Sequence, residues 1–185
     1  MSSIPPEVLT PWNDLLKNRV LLHQTKKAVG DISDFGMLLQ SPRLEDQNQS
    51  AALESYANRS FNLTIDMTKA LLIARAPEDA AAVKPMNSDE VLAAALRQRI
   101  FPQAQWEVLD ELRLGRNDLQ HESSWVPWRQ VWRFIELMEN SIDKVLTSLQ
   151  LRFSEAGLEL EMDFPPEFLT DSEGRGVDGG TNAFQ

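Results

Sequence analysis

Arg116-Asn117-Asp118-Leu119-Gln120-His121 gathers a permanent cation, an amide and one of the two histidines of the chain into six consecutive positions. An arginine offers phosphate a rigid fork of N–H donors, and a histidine moves a proton near neutral pH. Cutting RNA through its own 2′-hydroxyl needs a base for that hydroxyl, an acid for the leaving oxygen and a cation at the crowded phosphate. Arg116 and His121 are the residue types for that reaction, and Asn117 is placed to orient one of them. Trp125 and Trp128, with Trp132 close behind, offer aromatic faces to a base, and Arg129 a further phosphate contact. Each residue also has a purely structural reading. Arg116 suits the C-terminus of a preceding helix, His121 a surface, and the tryptophans a core. His23 has no evident partner and reads as structural.

Two amphipathic helical patterns flank the motif, over residues 103–114 and 127–153. In the first, Trp106, Leu109 and Leu112 share a side, and Gly115 reads as the residue that interrupts or ends the helix. In the second, Val131, Ile135, Met138, Ile142, Val145 and Leu149 recur at alternating spacings of four and three, a heptad seam. That seam fits either packing within its own bundle or a face shared with a second subunit. Upstream, Thr10-Pro11 opens a helical pattern that runs to Ser41-Pro42, weakened at Gly30 and Gly36. Residues 51–76 form a second long pattern, and 77–87 a connection. Asn87-Ser88-Asp89-Glu90 reads as a capping box for a short helix that ends near Ile100. After Phe153, Leu158, Leu160 and Met162 alternate with acids, as in a short strand or extended arm.

At 185 residues the chain suits one domain with a real core. No apolar run approaches the length of a membrane span, and the first residues lack the pattern of a secretory signal. With no cysteine there are no disulfides and no thiolate metal sites, which fits a reducing cytoplasm. The net charge of −10 is unevenly spread. Residues 153–185 hold eight acids against one base, whereas 97–133 carry six arginines against five acids. The neighbourhood of the motif is therefore near neutral: no basic groove for duplex DNA, but room for a small cationic site. Walker A, Gly-x-Gly-x-x-Gly and Gly-x-Ser-x-Gly patterns are absent. No histidine stands at metal-ligand spacing from a carboxylate pair, so neither a metal nor a cofactor is expected.

A long helical pair, then Arg-Asn-Asp-Leu-Gln-His, then a final amphipathic helix resembles the HEPN superfamily (higher-eukaryote and prokaryote nucleotide-binding domains). The hallmark of that superfamily is Arg-x4–6-His with a polar residue directly after the arginine. Arg116, Asn117 and His121 match it, and the resemblance covers roughly residues 10–153. It implies an all-α domain, in keeping with the four- to five-helix bundle read over residues 1–153; composition beyond it reads as an acidic extension (154–173) and a disordered tail (174–185). It further implies a homodimer whose facing motifs form a composite, metal-independent endoribonuclease site, in a toxin–antitoxin or antiviral defence setting. Ser123 stands where one toxin branch, paired with a nucleotidyltransferase, often has a tyrosine, so modification at that position is not implied. The rival expectation is a non-catalytic helical module that binds a partner protein, such as an antitoxin, a nucleotidyltransferase or another defence-system component. The acidic extension suits that rival, because its apolar alternation offers an edge for docking.

Overall fold

A computed structural model describes residues 4–31, 36, 48–121 and 127–162, with 48–50, 120 and 121 described by their backbone alone. The expected boundary at residue 174 and the tail beyond it lie outside the described residues. The fold is all-α, and no strand occurs among the described residues. Its elements are α1 (Pro6–Gly30), α2 (Asn48–Arg75), a 3-10 turn (Pro77–Asp79), α3 (Ala80–Val83), α4 (Ser88–Arg97), α5 (Gln103–His121) and α6 (Trp128–Glu155). No helix among them is long and apolar enough to cross a membrane.

Local chemistry sets several of these boundaries. α1 begins at Pro6, a turn earlier than Thr10-Pro11 suggests, because Pro5-Pro6 already supplies a proline at the first helical position. The amides of Val8 and Leu9 close the first turn onto the Pro5 carbonyl, at 2.9 and 3.0 Å, and Pro11 is carried inside the helix. The helix ends at Gly30, one of the two glycines expected to weaken the pattern, and the Ser41-Pro42 stop lies outside the described residues. The capping box forms as the sequence requires. Asn87 Oδ1 accepts from the Glu90 amide at 3.0 Å, and Glu90 Oε2 accepts from the Asn87 amide at 2.8 Å. At the end of α6, Gly157 adopts φ +82°, and the Leu158 amide turns back to the Phe153 carbonyl at 2.9 Å. A left-handed residue at this point is glycine's usual place, and it redirects the chain into an arm.

α1, α2, α5 and α6 form an antiparallel four-helix arrangement, with α4 closing one side against α2 and α5. Cross-helix pairs fix the directions. Asp14 meets Arg59 at 2.8 Å, and Glu111 meets Arg133 at 2.9 Å. Ser148 donates to Gln105 at 2.7 Å, while α1 runs up α6 from the Arg19–Asp143 pair to the His23–Glu139 pair. The C-termini of α1 and α5 and the N-termini of α2 and α6 therefore share one pole of the bundle.

All six heptad-seam residues of α6, Val131 to Leu149, are fully buried within this one chain. Trp12, Leu15, Leu16 and Leu22 of α1, Phe61, Met67 and Leu71 of α2, and Leu109 and Leu112 of α5 complete the core. Each such side chain contributes about 1.5–3 kcal/mol on leaving water. Between the two possible roles of the seam, intramolecular packing takes the whole stripe.

Residues 158–162 take neither helix nor strand. They run as an arm over their own bundle, with Leu160 buried and Leu158 and Met162 packed against the core. Trp12 Nε1 donates to the Glu161 carbonyl at 2.6 Å, and Gln150 Nε2 to the Leu160 carbonyl at 2.8 Å. The alternation with acids is thus that of an intramolecular arm, and its apolar side is already covered.

Candidate active site at the α5–α6 pole

Gly115 does not end α5. The helix runs through it to His121, so Arg116, Asn117 and His121 belong to one continuous element. A lone glycine costs a helix about 1 kcal/mol, which the burial of Leu112 and Leu119 on either side outweighs. At 1.5 Å and 100° per residue, His121 sits about 7.5 Å further along the axis than Arg116 and about 140° around it. Arg116 and Asn117 are both half-buried.

The setting of Arg116 is unusual within this molecule. Its guanidinium carbon lies 5.9 Å from the centroid of the Phe61 ring on α2. Its Nε is buried and has no hydrogen-bond acceptor among the described residues. The other half-buried arginines all meet carboxylates: Arg19 with Asp143, Arg75 with Glu155 at 3.0 Å, and Arg152 with Glu155 at 2.8 Å. Arg113, one turn before the motif, pairs with Asp110 at 2.8 Å and Asp89 at 3.5 Å. Arg116 meets no carboxylate among the described residues. A half-buried guanidinium that no described carboxylate neutralises can pair with an incoming anion.

Trp128 opens α6 and is 4% exposed, so its ring faces belong to the core rather than to a nucleobase. Its Nε1 is buried without an acceptor among the described residues. Trp132 is likewise buried, with Lys26 Nζ 5.9 Å from its ring centroid. Arg129 is exposed at the second position of α6. Trp125 lies outside the described residues. Of the two described residues expected to contact RNA, Arg129 is the one whose side chain stands in solvent.

His23 has partners after all. Its Nδ1 is 2.7 Å from Glu139 Oε1, its Nε2 is 3.9 Å from Asp143, and Lys26 Nζ donates to Glu139 Oε2 at 2.7 Å. Burial by itself raises the Glu139 carboxyl, but the hydrogen bonds from Lys26 and His23 and the charges behind them outweigh it. The group therefore stays below its ordinary value. A signal for this ladder does exist in the sequence. Arg19, His23 and Lys26 form a basic stripe at helical spacing, and Glu139 and Asp143 an acidic pair one turn apart. What the sequence lacks is the information that these stripes face each other. Among the described residues no group of three or more histidines or acids is disposed to hold a metal ion.

No family model matches this chain, and neither a curated protein nor a solved structure does.

Proposed function

We propose that this protein is a metal-independent endoribonuclease of HEPN type, acting in the cytoplasm as a toxin or antiviral defence effector. One observation carries the reading. Arg116 is half-buried, 5.9 Å from the Phe61 ring and unmatched by any described carboxylate, inside the motif that pairs it with a polar residue and a histidine. In the reaction, one histidine takes the proton of the 2′-hydroxyl as that oxygen bonds to phosphorus. The P–O5′ bond breaks, and a second histidine protonates the departing oxygen. A 2′,3′-cyclic phosphate and a 5′-hydroxyl result. Arg116 neutralises the non-bridging oxygens as charge gathers on them, and Asn117 orients one of the reacting groups.

One chain supplies a single His121, so the two proton transfers call for two copies. Leu114 supports that assembly. It is 51% exposed and lies two turns before His121 on the same side of α5. A second copy that covers Leu114 brings the His121 side of its own α5 towards this one.

RNA incubated with the protein in excess EDTA should be cut and should leave cyclic or 3′-phosphate ends. Arg116→Ala and His121→Ala should each cost ~10²–10⁴-fold in rate while the fold persists. Undiminished cleavage by His121→Ala sinks the proposal. Leu114→Glu should shift the protein from dimer to monomer in light scattering and reduce cleavage in step. A monomeric wild type that cleaves at full rate removes the composite site.

A further inference from the structure

α5 and α6 do not close fully against each other, and a groove of about 690 Å³ opens between them. The residues that face across it account for the gap. Ser148 reaches Gln105 at one end, and Arg133 reaches Glu111 at the other. Between these bridges Ala104 and Ser141 are too short to interlock, and Ser141 turns its hydroxyl back to the Met138 carbonyl of its own helix. Val108 and Leu137 are left half-buried as an apolar floor. On α6 the lining runs from Leu137 to Ser148, about 16 Å, a length suited to a chain segment.

The charges at the rim are unequal. Asp143 is matched by Arg19 of α1, whereas Lys144 is exposed and meets no carboxylate among the described residues. An apolar floor beside one free cation is the complement of an acidic segment with apolar anchors.

The chain carries such a segment directly after its arm. Asp163-Phe164-Pro165-Pro166-Glu167-Phe168-Leu169 holds two acids, three large apolar residues and no base. Its tether is fastened to the helix that lines the groove, since the Leu160 carbonyl accepts from Gln150, two positions beyond Ser148. Lys144 lies six residues from Gln150, about 9 Å along α6 and about 120° around it. Residues 163–167 can span roughly 17 Å, enough for Glu167 to reach Lys144. Tethering supplies an effective concentration in the ~millimolar range, so weak contacts suffice to hold the segment. Its two prolines reduce the freedom that docking costs.

We propose that residues 163–169 dock in the α5–α6 groove of their own chain, with Phe168 and Leu169 on Val108 and Leu137 and Glu167 paired with Lys144. The docked segment closes the groove to any other acidic peptide. Nothing in this inference depends on RNA chemistry.

The test is proximity in the full chain. The protein has no cysteine, so an introduced pair reports contact without background. Thr170→Cys is combined with Ala104→Cys on the exposed groove wall, or with Asn62→Cys, exposed on α2, as the control. A disulfide needs Cα atoms within about 7 Å, so under oxidised glutathione the groove pair should close at least about tenfold faster than the control. The product should be a cross-linked monomer, formed at a rate independent of protein concentration. Lys144→Glu and Glu167→Lys should each slow closure about 2–5-fold, as one exposed ion pair allows, and the two together should restore it. Phe168→Ser with Leu169→Ser should bring it down to the control rate.

Equal rates for the groove and control pairs overturn the proposal. So does closure that survives the loss of Phe168 and Leu169, or a charge-swapped protein that shows no recovery. Covalent dimers in place of cross-linked monomers overturn docking within one chain and give the groove to a second copy. If Ala104→Cys does not fold, Thr147→Cys on the exposed α6 wall takes its place under the same criteria.

Discussion

Replacing Glu139 with glutamine isolates what the polar ladder between α1 and α6 contributes. Glu139 accepts from His23 Nδ1 and from Lys26 Nζ, each at 2.7 Å, and its side chain is 18% exposed. Hydrogen bonds to charged groups contribute roughly 1.5–3 kcal/mol, against about 1 for neutral ones. Glutamine keeps the shape, but it removes the carboxylate charge, and its single oxygen can accept from only one of the two donors. Solvent screening at this partly open seam trims the difference. The expected loss is about 1–2 kcal/mol, or roughly 2–8 °C in the melting midpoint for a chain of this size.

Glu139→Gln also carries a pH signature. The Glu139 carboxyl is held below its ordinary value in the folded protein. Its contribution is therefore fully present above the unfolded carboxylate value of about 4.3 and is lost as pH falls through the lower folded one. Urea titrations should show the variant at a deficit near about pH 7 and a narrower gap towards about pH 3. A variant as stable as wild type near neutrality, or a deficit undiminished in acid, refutes the assignment of this ladder as a stabilising contact.

Two further substitutions probe the frame around the site. Gly115→Ala should stabilise the protein by about 0.5–1 kcal/mol, because alanine favours the helix. Its added carbon would sit at an ordinary 3.7 Å from Phe134, so a lower midpoint by calorimetry counts against a continuous α5. Trp12→Phe removes the donor to the Glu161 carbonyl and should cost about 1 kcal/mol. Amide exchange over residues 158–162 should then quicken several-fold, and unchanged protection would show that the arm is held by its apolar side chains alone.

Helix content, the capping box and the buried stripe of α6 were legible in the sequence, because each is set by residues within a few turns of one another. Gly115 was misleading for a related reason. Its intrinsic cost is local and visible, whereas the packing of Leu112, Leu119 and Phe134 that overrides it is tertiary. His23 looked solitary because its partner lies 116 positions away. The arm shows the same limit, since its alternation marks one apolar side without saying what covers it. Within the motif, residue types and spacing are a property of sequence. That no described carboxylate lies beside Arg116 emerges only once its neighbours are in place.

The bond between Trp12 and Glu161 joins positions 149 residues apart. During synthesis at about 5–20 residues per second, Glu161 is made roughly 7–30 s after Trp12. Through that interval α1 can pair with α2, but the Trp12 indole has no access to its final acceptor. Closing so long a loop is also entropically unrewarding until the helices between have assembled. Docking of the arm therefore follows assembly of the helices, and a chain truncated before Gly157 would hold its bundle with an unfastened first helix.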